Sequence, residues 1–366
     1  MSTQMSQDER LLLELLKRVV QQGATDLHVA GGSPPVIRIR GELFPIAALG
    51  VITPERAQKM LFSIMSEYQQ EEFLNEKELD MSYEAPSVGR FRVNVFFEKN
   101  SIGAAFRTIP DDPIHIDKLG VPPIMKKICE KRNGLVLLTG ATGSGKTTTL
   151  AACIDYINTI RNLHIITIED PIEYVHKNKK SLVRQREVGM HTNSFAAALR
   201  VCLRQDPDVI LVGEIRDLET VSITLTAAET GHLVFSTLHT SGAVDTIARI
   251  IDIFPSEHQT AIRVQVSSVI EAILSQILLP NAAGSGMLLA CELLVATPAV
   301  RNIIREGRLH TLRNALETGM EHGMQSLEVC LKDLYIKGRI TFDAALARCN
   351  DVEAFKKLTG MSSTTI

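Results

Sequence analysis

The sequence predicts an α/β protein whose main body is a parallel sheet flanked by helices, preceded by a smaller sheet domain and followed by a helical appendix. Three observations carry this reading. Beyond residue 123, short apolar runs at 135–139, 164–168, 209–212 and 233–238 alternate with helix-compatible stretches, as buried parallel strands and their crossovers do. Between Pro110 and Pro123, four prolines and three aspartates interrupt every period, so few hydrogen-bonded elements can pass through. From Pro298 onward strand-like runs give way to helical patterns separated by Gly307, Gly319, Gly323 and Gly338. The expected division is an N-terminal domain at 1–110, a linker at 111–123, the α/β domain at 124–297 and a helical subdomain at 298–366.

The elements follow in order. Leu11, Leu12, Leu15, Leu16, Val19 and Val20 recur at helical spacing before Gly23, which predicts an amphipathic first helix. A short apolar piece at 27–30, the turn-former Gly31-Gly32-Ser33-Pro34-Pro35 and the alternating run 36–40 predict a hairpin. Thr53-Pro54-Glu55 opens a second helix, with a capping threonine, proline at the first helical position and an acid in the first turn. Strands are expected at 90–97 and 101–109, giving a mixed sheet with two helices up to residue 110. The last residues, 361–366, are expected to be frayed.

Composition bounds the function. With 366 residues, 45% apolar and 22% charged, the chain exceeds one ordinary core and is not disordered. Lys+Arg 39 against Asp+Glu 42 leaves a net charge of −3, so no global positive field draws it to nucleic acid. No apolar run reaches the roughly 18 residues of a membrane span, and the polar, acidic start does not resemble a signal peptide. The six cysteines are scattered without a Cys-x-x-Cys, as buried thiols of a reducing compartment are. Together these features point to a cytoplasmic protein.

Gly140-Ala141-Thr142-Gly143-Ser144-Gly145-Lys146-Thr147 follows the strand at 135–139 and precedes a helix-compatible run, satisfying G-x-x-x-x-G-K-[ST] in its required context. The glycines let successive N–H groups point at phosphate oxygens, and the helix N-terminus adds partial positive charge. Gly140, Thr142, Gly143, Ser144, Gly145, Lys146, Thr147 and Thr148 are therefore candidate ATP contacts, with Lys146 on the β/γ-phosphates and the Thr147 hydroxyl on Mg²⁺. Hydrolysis needs an acid at a neighbouring strand end. The run 208–214 ends in Gly213-Glu214, with Glu214 suited to hold Mg²⁺ or its water, and the run 164–170 ends in Glu169-Asp170, where Glu169 would polarise the attacking water and Asp170 hold the loop. Acids after strands also cap helices.

Gly231 to Thr240 is a further strand with His232 and His239 at its ends. Extended chain holds them more than ~20 Å apart, which excludes a shared metal. His239 is placed either to contact the γ-phosphate or as a structural histidine. Arg90, Arg92 and Asn94 alternate with Phe91, Val93 and Val95, and Arg107 follows on the next strand. This pattern is either a solvated sheet face or an arginine set brought over the nucleotide when the domains close. The basic stretch His176-Lys177-Asn178-Lys179-Lys180, with Arg184 and Arg186, reads as a solvated loop. It has no clustered aromatics to stack bases, so no nucleic-acid partner is expected.

In this order the residues resemble the secretion ATPases of type II secretion and type IV pili. The loop 140–147, the acidic stretch 168–173, the segment 206–217 and the histidine stretch 230–240 look like that family's Walker A, Asp box, Walker B and His box. Ala299-Val300-Arg301-Asn302-Ile303-Ile304-Arg305-Glu306 is similar to the A-I-R-N-L-I-R-E motif of the pilus retraction branch. The extra N-terminal domain and four-cysteine zinc module that pilus assembly ATPases usually carry are not expected here. The resemblance implies a RecA-like P-loop ATPase core with a PAS-like N-terminal domain. It further implies a homohexamer, cytoplasmic and peripheral at the inner-membrane pilus machine, that drives pilus retraction and twitching motility. Its expected partners are an inner-membrane pilus platform protein and a paralogous retraction ATPase. The family roles make Glu169 the catalytic carboxylate, Glu214 the Walker B acid, and Arg92 and Arg107 arginine contacts, with Arg90 a third. ATP would hold the domains closed because Arg92 and Arg107 gain a charged partner only then, the segment 110–123 acting as hinge. The alternatives are an accessory retraction ATPase or a nucleotide-gated regulatory ring subunit of low turnover.

Overall fold

A computed structural model describes residues 5–39, 41–99, 101–110 and 112–360. Arg40, expected to end the first hairpin, and residues 361–366, expected to be frayed, lie outside the described residues. The chain divides after Asp112 into two units, the first of which also takes in Pro171–Val175. In the first unit, helix α1 (Gln7–Gln21) begins at a reciprocal cap between Ser6 and Glu9 and turns Leu12, Leu15, Leu16 and Val19 into the core. Strands β1 (Asp26–Ala30), β2 (Val36–Ile39) and β3 (Glu42–Pro45) follow. Helix α2 (Pro54–Phe62) starts where expected, Thr53 accepting the Arg56 N–H. Helix α3 (Glu67–Glu76) and strands β4 (Glu78–Ala85), β5 (Gly89–Glu98) and β6 (Ser101–Ile109) complete the unit.

Its sheet has the order β3-β2-β1-β6-β5-β4, and every pairing is antiparallel. The expected mixed sheet is therefore corrected: the links between β4, β5 and β6 are too short for the crossover that a parallel pair needs. The count of two helices is also corrected. Helix α3 reads Glu-Tyr-Gln-Gln-Glu-Glu-Phe-Leu-Asn-Glu and buries only Phe73, so it leaves no apolar period to find.

The second unit comprises α4 (Ile124–Cys129), β7 (Gly134–Thr139), α5 (Lys146–Ile160), β8 (His164–Glu169), β9 (Leu182–Glu187), α6 (Phe195–Cys202), β10 (Val209–Val212), α7 (Leu218–Glu229), β11 (Leu233–Leu238), α8 (Ala243–Asp252), α9 (Gln259–Val269), β12 (Ile270–Pro280) and β13 (Met287–Val295). Helices α10 (Pro298–Arg305), α11 (Leu312–Thr318), α12 (Leu327–Ile336), α13 (Phe342–Leu346) and α14 (Val352–Thr359) end the described chain. The sheet order is β13-β12-β7-β11-β10-β8-β9. All its pairings are parallel except that of β13 with β12. Alternation along each strand feeds two cores. Leu135, Leu137, Ile210 and Val212 face one, and Val136, Leu138, Val209 and Leu211 face the other. Both sheet faces are thus covered, which is why these strands read as unbroken apolar runs.

The reading of Arg184 and Arg186 as part of a solvated loop is corrected. They lie on β9, which pairs in parallel with β8. As an edge strand β9 has one neighbour, and Val183 is its one buried apolar residue, so it carries no apolar run. All six cysteines are free thiols. Among the described residues no helix is long and apolar enough to cross a membrane.

One polar row crosses the first sheet. Strand register sets Ser82, Arg92, Arg107, Asp26 and Arg38 side by side on five strands, on the face opposite the buried Phe91 and Val93. Asp26 is buried; it accepts from Arg107 Nε at 2.8 Å and from the Thr25 hydroxyl at 2.8 Å, with Arg38 Nε at 3.7 Å. Burial pushes its carboxyl pKa up, but the Thr25 and Arg107 hydrogen bonds and the Arg107 charge outweigh that and leave it below 3.8. A carboxyl depressed on folding contributes stability above its ordinary pKa and loses it as pH falls through the folded value. Asp26→Asn should therefore lower stability at neutral pH by about 1–2 kcal/mol. Urea unfolding of the two proteins should converge as pH drops below the ordinary value of 3.8.

Candidate active site

The phosphate-binding loop connects β7 to α5, and its glycines occupy backbone conformations that favour glycine. Gly140 has φ +136°, and a Cβ there would stand 2.3 Å from the Gln276 carbonyl oxygen and 2.6 Å from Ser144 Oγ. Gly143 and Gly145 have φ of +78° and +88°. Gly145 lies immediately before α5 in a left-handed conformation, so the first N–H groups of the helix, which have no intrahelical acceptor, open toward the loop. Lys146 is buried, and its ammonium donates to the carbonyls of Gly140 at 2.8 Å and Ala141 at 3.0 Å. Burial lowers its pKa, with the Glu214 charge acting against that. Ser144 Oγ and Thr139 Oγ1 are buried without a hydrogen-bond partner. Thr142 and Gly143 are exposed at the loop's tip, and Thr147 and Thr148 are half-buried behind it. The loop is a cradle lined with donors, and it fits a phosphate chain.

Strand order places three further groups on the same edge. Reading outward from β7, the neighbours are β11, β10 and β8, and their parallel C-terminal ends lead into His239, Glu214 and Glu169. Glu214 Oε2 is 2.8 Å from Arg216 Nη2, and its Oε1 is 3.2 Å from His239 Nε2. Burial raises the Glu214 carboxyl, but the Arg216 hydrogen bond and charge, joined by His239, bring it below its ordinary value. Arg216 in turn is raised, mainly by Glu214 and to a lesser degree by the charge of Asp170. Beside this trio a cavity of 340 Å³ is lined by Glu214, Arg216, His239, Thr240 and Arg249, among others. Glu169 accepts from Thr167 Oγ1 at 2.6 Å and from Gln185 Nε2 at 3.1 Å. Gly213 draws the two strand ends together: its N–H donates to Ile168 O at 2.8 Å, and a Cβ on it would press the same carbonyl at 3.2 Å. His232 is a structural residue at the other end of β11, its Nδ1 2.8 Å from Ala227 O.

Among the described residues no group of three or more His, Cys, Asp or Glu side chains could hold a metal ion. A Mg²⁺ carried mainly by phosphate oxygens and water needs only one or two protein ligands, and the Thr147 hydroxyl and Glu214 fit that demand. In the first unit, Arg92 pairs with Asp80 at 2.5 Å and with Glu173 at 3.3 Å. Arg107 pairs with Asp26, and Arg90 Nη2 donates to Ser82 Oγ at 2.8 Å. The expectation that Arg92 and Arg107 lack a charged partner until the domains close is thus corrected. Cross-strand carboxylates already supply one: Asp26 stands directly opposite Arg107, and Asp80 lies two residues along β4 from Ser82, the residue opposite Arg92.

Sequence reasoning missed Arg216, Glu173 and Gln276. Arg216 had a signal, since it stands two residues after Glu214 just past a strand. Gln276 had another, as a polar residue inside the apolar stretch 272–279. Glu173 had none, because its pairing with Arg92 spans 81 residues of chain. Gly140→Ala should keep the fold but weaken ADP binding by about ten- to a hundredfold, matching roughly 1–3 kcal/mol of backbone strain. Calorimetric titration of the two proteins measures it.

The chain matches the family model for type II/IV secretion system proteins over residues 3–325. The type IV pilus retraction ATPase PilT of Pseudomonas aeruginosa is 46% identical over 344 residues, which cover 94% of this chain and 99% of that protein. The type IV pilus ATPase PilU of the same organism is 38% identical over 348 residues, 94% of this chain and 91% of that protein. A crystal structure of the pilus retraction motor PilT with bound ADP aligns at a TM-score of 0.89 and 47% identity, covering 94% of this chain and 99% of that one. A loop that fits a phosphate chain, acids on the adjoining strand ends and these similarities agree: the chain belongs to the type II/IV secretion ATPases, in their pilus retraction branch.

Proposed function

We propose that this chain powers type IV pilus retraction by hydrolysing ATP at the C-terminal edge of its parallel sheet. One observation carries the reading. Four adjacent parallel strands deliver the phosphate-binding loop, His239, Glu214 and Glu169 to a single edge. The greater identity to PilT than to PilU of the same organism, 46% against 38%, favours the main retraction motor over the accessory one.

In this reading Lys146 leaves its loop carbonyls for the β/γ-phosphates, and the N–H groups of residues 143–147 hold the remaining oxygens. Thr147 and Glu214 would hold Mg²⁺, which supplies charge neutralisation on the phosphates. Glu169 takes a proton from the attacking water, oriented by Thr167 and Gln185. His239 bridges Glu214 to the γ-phosphate, and Asp170 holds the turn. Arg92 and Arg107 supply positive charge to the transferring phosphoryl group, with Arg90 in support. Their present ion pairs do not prevent this. The exposed Arg92–Asp80 pair contributes about 0.2–1 kcal/mol, and in the other pair the Arg107 side chain is 72% exposed although Asp26 is buried. If Arg107 leaves, Asp26 keeps Thr25 and Arg38. A triphosphate is the stronger partner.

The domain division at 1–110, 111–123, 124–297 and 298–366, with the linker as hinge, belongs to this proposal. So do a homohexameric ring, a platform protein at the inner membrane and cooperation with a paralogous ATPase. Glu169→Gln should bind ATP with near-native affinity and lose about 10²- to 10⁴-fold in turnover; phosphate-release kinetics at native rate would reassign the base. Arg107→Ala should slow turnover by at least about tenfold while ADP affinity stays within about twofold, and equal losses in both would remove Arg107 from the chemical step.

A further inference from the structure

One residue of β12 meets the phosphate-binding loop at both of its ends. Gln276 is fully buried. Its backbone carbonyl fills the space where Gly140, the first residue of the loop, lacks a side chain. Its amide nitrogen donates at 2.8 Å to Thr149 Oγ1, a buried hydroxyl in the first turn of α5, where the Thr149 N–H is bonded to Gly145 O at 3.0 Å. Two residues on, Leu278 lies 3.8 Å from where a Cβ would stand on Gly145. The strand thus backs the loop at its entry, at its helix cap and at the helix's first turn.

Packing does not explain this amide. Apart from Glu271 and Ser275 the rest of 270–279 is apolar, and a leucine or methionine would fill the volume. The glutamine instead leaves its Oε1 buried without a partner, a desolvation that an apolar residue would avoid. What it gains is a fixed distance between β12 and the helix that carries Lys146 and Thr147. Misplacing reacting groups by about 1 Å can cost about a hundredfold in rate.

We propose that Gln276 is a positioning residue for phosphoryl transfer: by holding Thr149 and abutting Gly140 it sets the span of the loop, so that Lys146 meets the β/γ-phosphates and Thr147 the Mg²⁺ in the geometry that hydrolysis requires. The inference rests on the reading that ATP is hydrolysed at this loop. Full-length wild type, Gln276→Met, Thr149→Val and the double variant test it by steady-state MgATP hydrolysis. Each single variant should lose about tenfold in kcat with KM within about twofold, and the double variant should lose no more than the worse single one, because both remove the same bond. Native kcat in the single variants, or losses that multiply in the double, would overturn the inference. Should Gln276→Met fail to fold, Thr149→Val decides alone: a lower kcat at unchanged KM supports the role and a native kcat refutes it. Wild type that binds but does not hydrolyse MgATP would defeat the motor reading and this inference together, whereas active wild type with unaltered variants defeats the inference only.

Discussion

Parallel pairing of β7, β11, β10 and β8 is the constraint from which the site follows. Because these strands run the same way and are buried on both faces, their backbone polar groups are satisfied by one another and their side chains by two helical layers. Every loop leaving their C-terminal ends must then emerge along one edge. Residues far apart in sequence, Lys146, Glu169, Glu214 and His239, come together by strand order alone. Gly213 tightens the arrangement, since a Cβ there would stand 3.2 Å from the carbonyl oxygen of Ile168, tighter than an ordinary contact.

On this frame the charges are held, and held by partners that phosphate can replace. Lys146 is paired with two loop carbonyls, weaker acceptors than a phosphate dianion. Glu214 is clamped between Arg216 and His239, which keeps it ionised. Arg92 and Arg107 rest on carboxylates of their own sheet, at contact energies small enough to exchange. Nucleotide can act as a switch only through differential affinity for such alternative pairings. Each of these groups offers one, and that links local electrostatics to mechanical output.

Much of the α/β core and the outline of the site are legible in the sequence, because each rests on a local pattern. Four strands announce themselves as apolar runs, and the loop 140–147 as a glycine spacing whose meaning is stereochemical. What is hidden depends on partners distant in the chain. Edge strand β9 buries one apolar residue, Val183, and α3 buries one phenylalanine, so neither shows an apolar run. The all-antiparallel first sheet needs pairing information that alternation does not contain. The cross-strand carboxylate partners of Arg92 and Arg107 come from register across four neighbouring strands, which no single-strand pattern encodes. Gln276 is visible as an anomaly in an apolar run, but its purpose appears only once β12 is seen behind the loop.

The central claim is that a triphosphate is gripped by the loop between β7 and α5 and cleaved by the acids on the adjoining strand ends. A crystal structure with Mg²⁺ and a non-hydrolysable ATP analogue tests it most directly. The account predicts the terminal phosphates within hydrogen-bond distance of Lys146 Nζ and the N–H groups of residues 143–147, with Glu169 facing the γ-phosphate through a water. An analogue bound elsewhere, or Lys146 still bonded to the carbonyls of Gly140 and Ala141 beside a bound triphosphate, would contradict it.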